Sequence, residues 1–199
     1  MPAAAKGALT RERIIQLAAP VFNKKGYSGA SMADILQATG LQKGGIYNHF
    51  ASKEQLAVET FDFAIAYMNE RWRKAIEGKT HAADRLLAVV GMFDAFLLKP
   101  GSGGCPLMNT AIEADDNQPV LRARARKAMD ESLAAIHRIA AKGRDRGELR
   151  PSTDPARVAT ILMSTLEGAL MISKLYNDPR YLRQAQEQMT QWISRELKA

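Results

Sequence analysis

The chain has 199 residues, 46% of them hydrophobic and 25% charged, with a formal net charge of +7. These are ordinary globular proportions that exclude wholesale disorder and suffice for one large core or two small ones. Its first 53 residues carry seven Lys/Arg against two acids, which points the N-terminal part at a polyanion. One cysteine and three scattered histidines (His49, His81, His137) exclude an internal disulfide and give no metal-ligand spacing, so neither a metal nor another cofactor is expected.

Residues 2–8, "PAAAKGA", read as a loose basic arm. Thr10 then stands before "RERIIQLAAPVFNKKGY", where Ile14, Ala18, Val21 and Phe22 recur at helical spacing, Lys24 and Lys25 fill the last turn and Gly26 follows; both end signals of a helix are present. Pro20 inside it removes one backbone hydrogen bond and predicts a local irregularity. Ser31 with Asp34 forms an S-x-x-D start for a two-turn helix that Gly40 ends, and Ser52 with Gln55 opens a long helix from Lys53 to Ile76. Between them lies "QKGGIYNHF", a third short helix carrying Ile46, Tyr47 and Phe50 despite two glycines that each cost a helix interior ~1 kcal/mol.

Everything beyond Gly78 also reads as helix. One segment starts at His81 and stops at Pro100; others are opened by Pro106, by Pro119, by Asp154 with Pro155, and by Asp178 with Pro179. The last carries Leu182, Ala185, Met189, Trp192 and Ile193 as an apolar stripe. The expectation is an all-α protein of about nine helices, divided into residues 1–51 and 52–199. Residues 1–9 lack the apolar stretch of a secretory signal. The most apolar run, Val158 to Ser173, is 16 residues long and contains Glu167, too short and too polar to span a bilayer, so a cytoplasmic location is expected.

The turn at Gly40, with Ile35 and Leu36 on one side and Ile46 and Phe50 on the other, matches a helix-turn-helix whose second helix can enter a DNA major groove. A plain helical hairpin is the alternative, and the polar residues Gln42, Lys43, Tyr47, Asn48, His49 and Lys53 crowding one stretch weaken it.

On the residues "TRERIIQLAAPVFNKKGYSGASMADILQATGLQKGGIYNHFASKEQL", positions 10 to 56, the chain resembles the TetR family of bacterial transcriptional regulators. The resemblance implies phosphate contacts from Thr10 or Arg11, Ser31, Tyr47, His49 and Lys53, and groove-facing roles for Gln42, Lys43, Gly44, Gly45 and Asn48. It also implies a homodimer through the last two helices, a palindromic double-stranded operator and a small-molecule inducer that releases a repressor from it. At Gly44 and Gly45, missing side chains would let the backbone come close to the groove.

Phe61, Tyr67, Phe93, Phe96, Met108, Met129 and Met163 are candidates to line an inducer cavity, with core packing the alternative for each. Glu167, the only charge in its apolar run, must find a partner, water or ligand; His137 is one candidate partner or pocket group, a surface residue beside Arg138 being the alternative. Cys105, in "GSGGCPLMN", stands before a helix opening at Pro106, where a helix N-terminus lowers a thiol's pKa. Similar segments in a few TetR-like regulators sense electrophiles or oxidants; a small buried hydrophobe is the competing reading. An enzyme using Cys105 as nucleophile lacks a base at recognisable spacing. A constitutive DNA-organising protein would share the reading head without needing a cavity.

Overall fold

A computed structural model describes residues 3–93, 98, 101–114 and 118–199, with side chains from Thr10 onward. Among the described residues there are nine α-helices and no strand. In chain order they are α1 (Ala3–Gly29), α2 (Met32–Thr39), α3 (Lys43–Tyr47), α4 (Lys53–Ile76) and α5 (Ala82–Met92), then α6 (Pro106–Glu113), α7 (Pro119–Asp145), α8 (Pro155–Tyr176) and α9 (Arg180–Trp192), which runs on into a π-helical turn, Ile193–Leu197.

The start signals work as the sequence suggests. Ser31 accepts the Asp34 N–H while the Asp34 carboxylate accepts that of Ser31, a reciprocal capping box. Ser52 Oγ accepts the Gln55 N–H at 3.1 Å, and Asp154 accepts the N–H groups of Ala156 and Arg157 with Pro155 in the first turn. The start of α1 differs: it begins at Ala3 rather than at Thr10, so residues 3–8 are not a loose arm. Alanines, the best helix formers, let the helix grow backward past the threonine. Its end falls at the expected place, because Gly26 adopts φ 75° and interrupts α1, a conformation that a residue with a Cβ rarely adopts.

The chain forms two compact units, Met1–Tyr67 with Pro100–Arg126, and Met68–Lys99 with Lys127–Ala199. This grouping by contact does not follow the expected division between residues 51 and 52, since it adds residues 100–126 to the first unit. The reason is chemical: residues 102–113 are hydrogen-bonded to the end of α1 through Asn23, Asn109 and Glu113, which no local pattern announces.

In the first unit, Ile14 and Ala18 of α1, Ile35 of α2, Ile46 and Phe50 around α3 and Leu56 of α4 are at most 1% exposed and make one small core. In the second unit α9 packs along α8, and the Ser173 hydroxyl accepts the Leu182 N–H at 2.9 Å. Gln186 of α9 donates to the carbonyls of Val90 and Phe93 at the end of α5. Among the described residues α8 alone is long and apolar enough to cross a membrane. It is a core helix instead, burying Leu162, Leu166, Leu170, Glu167 and Ser173 inside the protein.

Candidate DNA interface

The reading head is built on the core of the first unit. Gly40 takes φ 68° as the left-handed end of α2 and its N–H reaches Leu36 O at 2.9 Å, so the chain turns sharply into α3. Ile46 and Phe50, each 1% exposed, then fix α3 against α1 and α2. Burying these two leaves Gln42, Lys43, Gly44, Tyr47 and Asn48 facing outward, with Tyr47 40% exposed and the Lys43 ammonium 5.9 Å from its ring centroid. His49 and Gly45 are partly buried. A polar strip on a short helix braced by two apolar anchors suits docking in a groove.

The two glycines differ. A Cβ on Gly44 would meet nothing within 4 Å, whereas one on Gly45 would touch Leu41 Cβ at 3.5 Å. Gly44 is therefore the position whose missing side chain faces outward, and Gly45 looks toward its own domain.

Several of the expected phosphate ligands are engaged within the protein. Arg11 pairs with Glu59 of α4, and its guanidinium carbon lies 4.7 Å from the Phe50 ring centroid, which makes it a brace between α1 and α4. Thr10 is a partly buried residue within α1, not its cap. The Ser31 hydroxyl donates to Asp34 Oδ2 at 2.8 Å and Lys25 Nζ bonds Asp34 Oδ1 at 2.6 Å. Asp34 thus fills the anion site at the start of α2, and its carboxyl is held down at about 2, first by the Lys25 hydrogen bond and then by those from Ser31. Lys53 Nζ donates to the Tyr27 carbonyl at 2.6 Å and lies 4.5 Å from the Tyr27 ring centroid. An ammonium has three donors, so this bond anchors the side chain and leaves donors for phosphate.

The expected inducer residues are spread over both units. Phe61 and Cys105 are buried and Met108 partly buried in the first; Phe93, Met163 and Glu167 are buried and Met129 partly buried in the second. Phe96 lies outside the described residues. Tyr67 is 48% exposed rather than lining a core. His137 is also exposed, because Ile136, Ile139 and Ala140 take the inward face of α7, so it is not a buried partner for Glu167. Cys105 occupies the N-cap of α6 as expected, 5% exposed, but its side chain makes no capping hydrogen bond. Of the α9 stripe, Leu182, Met189 and Ile193 are at most 7% exposed, whereas Ala185 and Trp192 are only partly buried.

Fold and site together define a helix-turn-helix DNA-binding protein. Residues 14–60 match the sequence profile described as "Bacterial regulatory proteins, tetR family", and residues 82–189 that of the "Tetracyclin repressor-like, C-terminal domain". The chain belongs to the TetR family of bacterial transcriptional regulators, and so to DNA-binding regulators rather than enzymes. It is similar over 98% of both chains, at 40% identity and a TM-score of 0.92, to the crystal structure of a TetR transcriptional regulator from Chloroflexus aurantiacus J-10-FL. A TetR-family regulator from Cytophaga hutchinsonii matches at 31% identity and a TM-score of 0.88, covering 98% of this chain and 97% of that one. The HTH-type transcriptional repressor DhaR of Mycobacterium sp. strain GP1 is 24% identical, over 83% of this chain and 82% of its own.

Proposed function

We propose that the protein is a cytoplasmic, homodimeric repressor that binds a palindromic operator through α3 and is released by a small-molecule inducer. The observation that carries this is the outward strip Gln42, Lys43, Gly44, Tyr47 and Asn48 over the buried anchors Ile46 and Phe50. Tyr47, His49 and Lys53 fix the head on phosphates, while Gln42, Lys43 and Asn48 have the donors to reach base edges. Arg11 braces the head and Ser31 caps α2.

Twofold symmetry sets half-sites one helical turn apart or a multiple of it, ~34–36 Å per turn. The dimer forms through the last two helices, with Met171 (45% exposed), Leu175 (74%) and Tyr176 (65%) at the end of α8 contributing an exposed apolar surface. The inducer binds within residues 55–170, near the buried Glu167, and favours a conformation whose two heads no longer match the operator; it must bind that conformation more tightly than the other. An electrophilic inducer would act at Cys105.

The test is binding to the DNA upstream of the protein's own gene at several salt concentrations, followed by release with candidate small molecules, electrophiles among them. Steep salt dependence, a palindromic footprint and ligand-driven release are expected. Binding without sequence preference refutes the operator, and unbroken binding in every ligand supports the constitutive organiser instead. If Cys105→Ser responds normally to an electrophile that releases the wild type, the thiol is not the sensor.

A further inference from the structure

Glu113 is the last residue of α6 and lies 60 residues along the chain from Lys53, yet the two meet on one peptide group. Gly26 breaks α1 at φ 75°, and this break turns the next two N–H groups toward α6. Glu113 Oε2 accepts the Tyr27 N–H and Oε1 the Ser28 N–H, both at 2.8 Å. The carbonyl of the same Tyr27–Ser28 peptide accepts Lys53 Nζ at 2.6 Å. One peptide unit therefore lies between a carboxylate at its N–H and an ammonium at its oxygen, and hydrogen bonds in such a chain polarise and strengthen one another.

The seat for the carboxylate is closely shaped. A Cβ on Gly26 would stand 2.3 Å from Glu113 Oε2, so a glycine is required there both for the backbone turn and for the space. One turn back on α6, Asn109 Nδ2 donates to Asn23 Oδ1 at 3.0 Å and to the Asn23 carbonyl at 3.1 Å. Asn109 and Glu113 share a helix face, so this second rung holds α6 in register with α1 without touching the Tyr27–Ser28 peptide.

The geometry points to Glu113 as a positioning residue for DNA binding: through the Tyr27–Ser28 peptide it sets where the Lys53 ammonium sits, and so how well that ammonium meets a phosphate. The inference rests on the reading of Lys53 as a phosphate ligand. Replacing the carboxylate with an amide substitutes an N–H₂ donor for one acceptor, so one backbone N–H loses its partner and the Tyr27 carbonyl is left less polarised and less firmly held. α6 begins just after its cap, Cys105, and ends on this contact, so its placement is read directly by the phosphate-binding lysine.

The experiment is a double-mutant cycle on the full-length protein, with operator affinity measured across a salt series for wild type, E113Q, K53A and E113Q/K53A. K53A is expected to weaken binding about tenfold and to flatten the salt slope by about one per half-site. E113Q is expected to weaken binding several-fold and flatten the slope in the wild-type background, and to change neither in the K53A background. Equal weakening by E113Q in both backgrounds overturns the positioning role and leaves Lys53 a phosphate ligand. No effect of K53A removes Lys53 from the interface and the inference with it. N109A, which cuts the bonds of Asn109 to Asn23 and to the Gly103 carbonyl but leaves the Tyr27–Ser28 peptide untouched, should lower thermal stability and leave the salt slope intact; if it flattens the slope as E113Q does, docking of α6 in general is responsible and Glu113 has no special part. Should E113Q not fold, E113D, with the same charge one methylene short, makes the same comparison in both backgrounds.

Discussion

Replacing Gly44 with alanine should move folding and DNA binding in opposite directions. The added methyl meets nothing within 4 Å in the free protein and Gly44 lies within α3, so the substitution brings no clash and a better helix former. Alanine is favoured over glycine in a helix by ~0.5–1 kcal/mol, which for a chain of this length raises the melting temperature by roughly 1–4 °C. On the operator the same methyl stands between the α3 backbone and the groove, where overpacking costs ~1–3 kcal/mol, roughly a 5- to 150-fold loss of affinity. Gly45→Ala is the internal control: its methyl makes ordinary contact with Leu41 at 3.5 Å, so it should stabilise similarly and weaken binding less. Thermal unfolding followed by circular dichroism and anisotropy of a labelled operator at fixed salt measure the two quantities. A G44A protein that melts higher and binds as tightly as wild type would show that this face of α3 does not approach DNA, and the orientation of the reading head would have to be abandoned.

Leu175→Glu should convert the dimer to a monomer at micromolar concentration in sedimentation, because Leu175 is 74% exposed and adds nothing to its own protomer's core; an unchanged dimer places the interface elsewhere. Arg11→Ala should lower stability by ~0.5–1 kcal/mol through loss of the Glu59 pair and the Phe50 contact, with the salt slope of operator binding unchanged; a slope flattened by one per half-site restores Arg11 as a phosphate ligand. Asp34 has a folded-state pKa of about 2, below its usual 3.8. Its stabilisation is therefore complete above the unfolded value and is lost as pH falls through about 2. Lys25→Met should raise the pKa of Asp34 and move that loss to higher pH, as carboxyl NMR titration would report; an unmoved titration removes Lys25 as the main cause.

What was legible in the sequence was mostly local. Ser31 with Asp34, Ser52 with Gln55, and Gly40 act over three or four residues, and each makes the cap or turn its pattern implies. The outward strip of α3 follows from the periodicity that buries Ile46 and Phe50. Partners distant in the chain were not legible: Arg11 finds Glu59, Lys53 finds Tyr27, and Gly26 makes room for Glu113. Basic residues counted as phosphate ligands look alike in sequence whether or not a carboxylate waits across the fold. The attachment of α6 to α1 was not legible for the same reason, since the Asn23–Asn109 bonds join residues 86 positions apart. The choice between the two readings of His137, pocket group or surface residue, was not legible either, because a histidine near an apolar run does not reveal which side of its helix it occupies.

The self-pairing of Arg11 with Glu59 and of Lys25 with Asp34 bears on how such a protein searches a genome. Affinity for arbitrary DNA scales with the cations left over to displace counterions, and every internal pair removes one from that number. A head that satisfies part of its own charge lingers less on the millions of wrong sites. Occupancy of the right one then depends on the ratio of specific to non-specific binding more than on raw attraction. Two carboxylates, Glu59 and Asp34, thus have a large leverage over the seven bases of the first 53 residues: deleting Asp34 would make the head stickier and slower to find its operator.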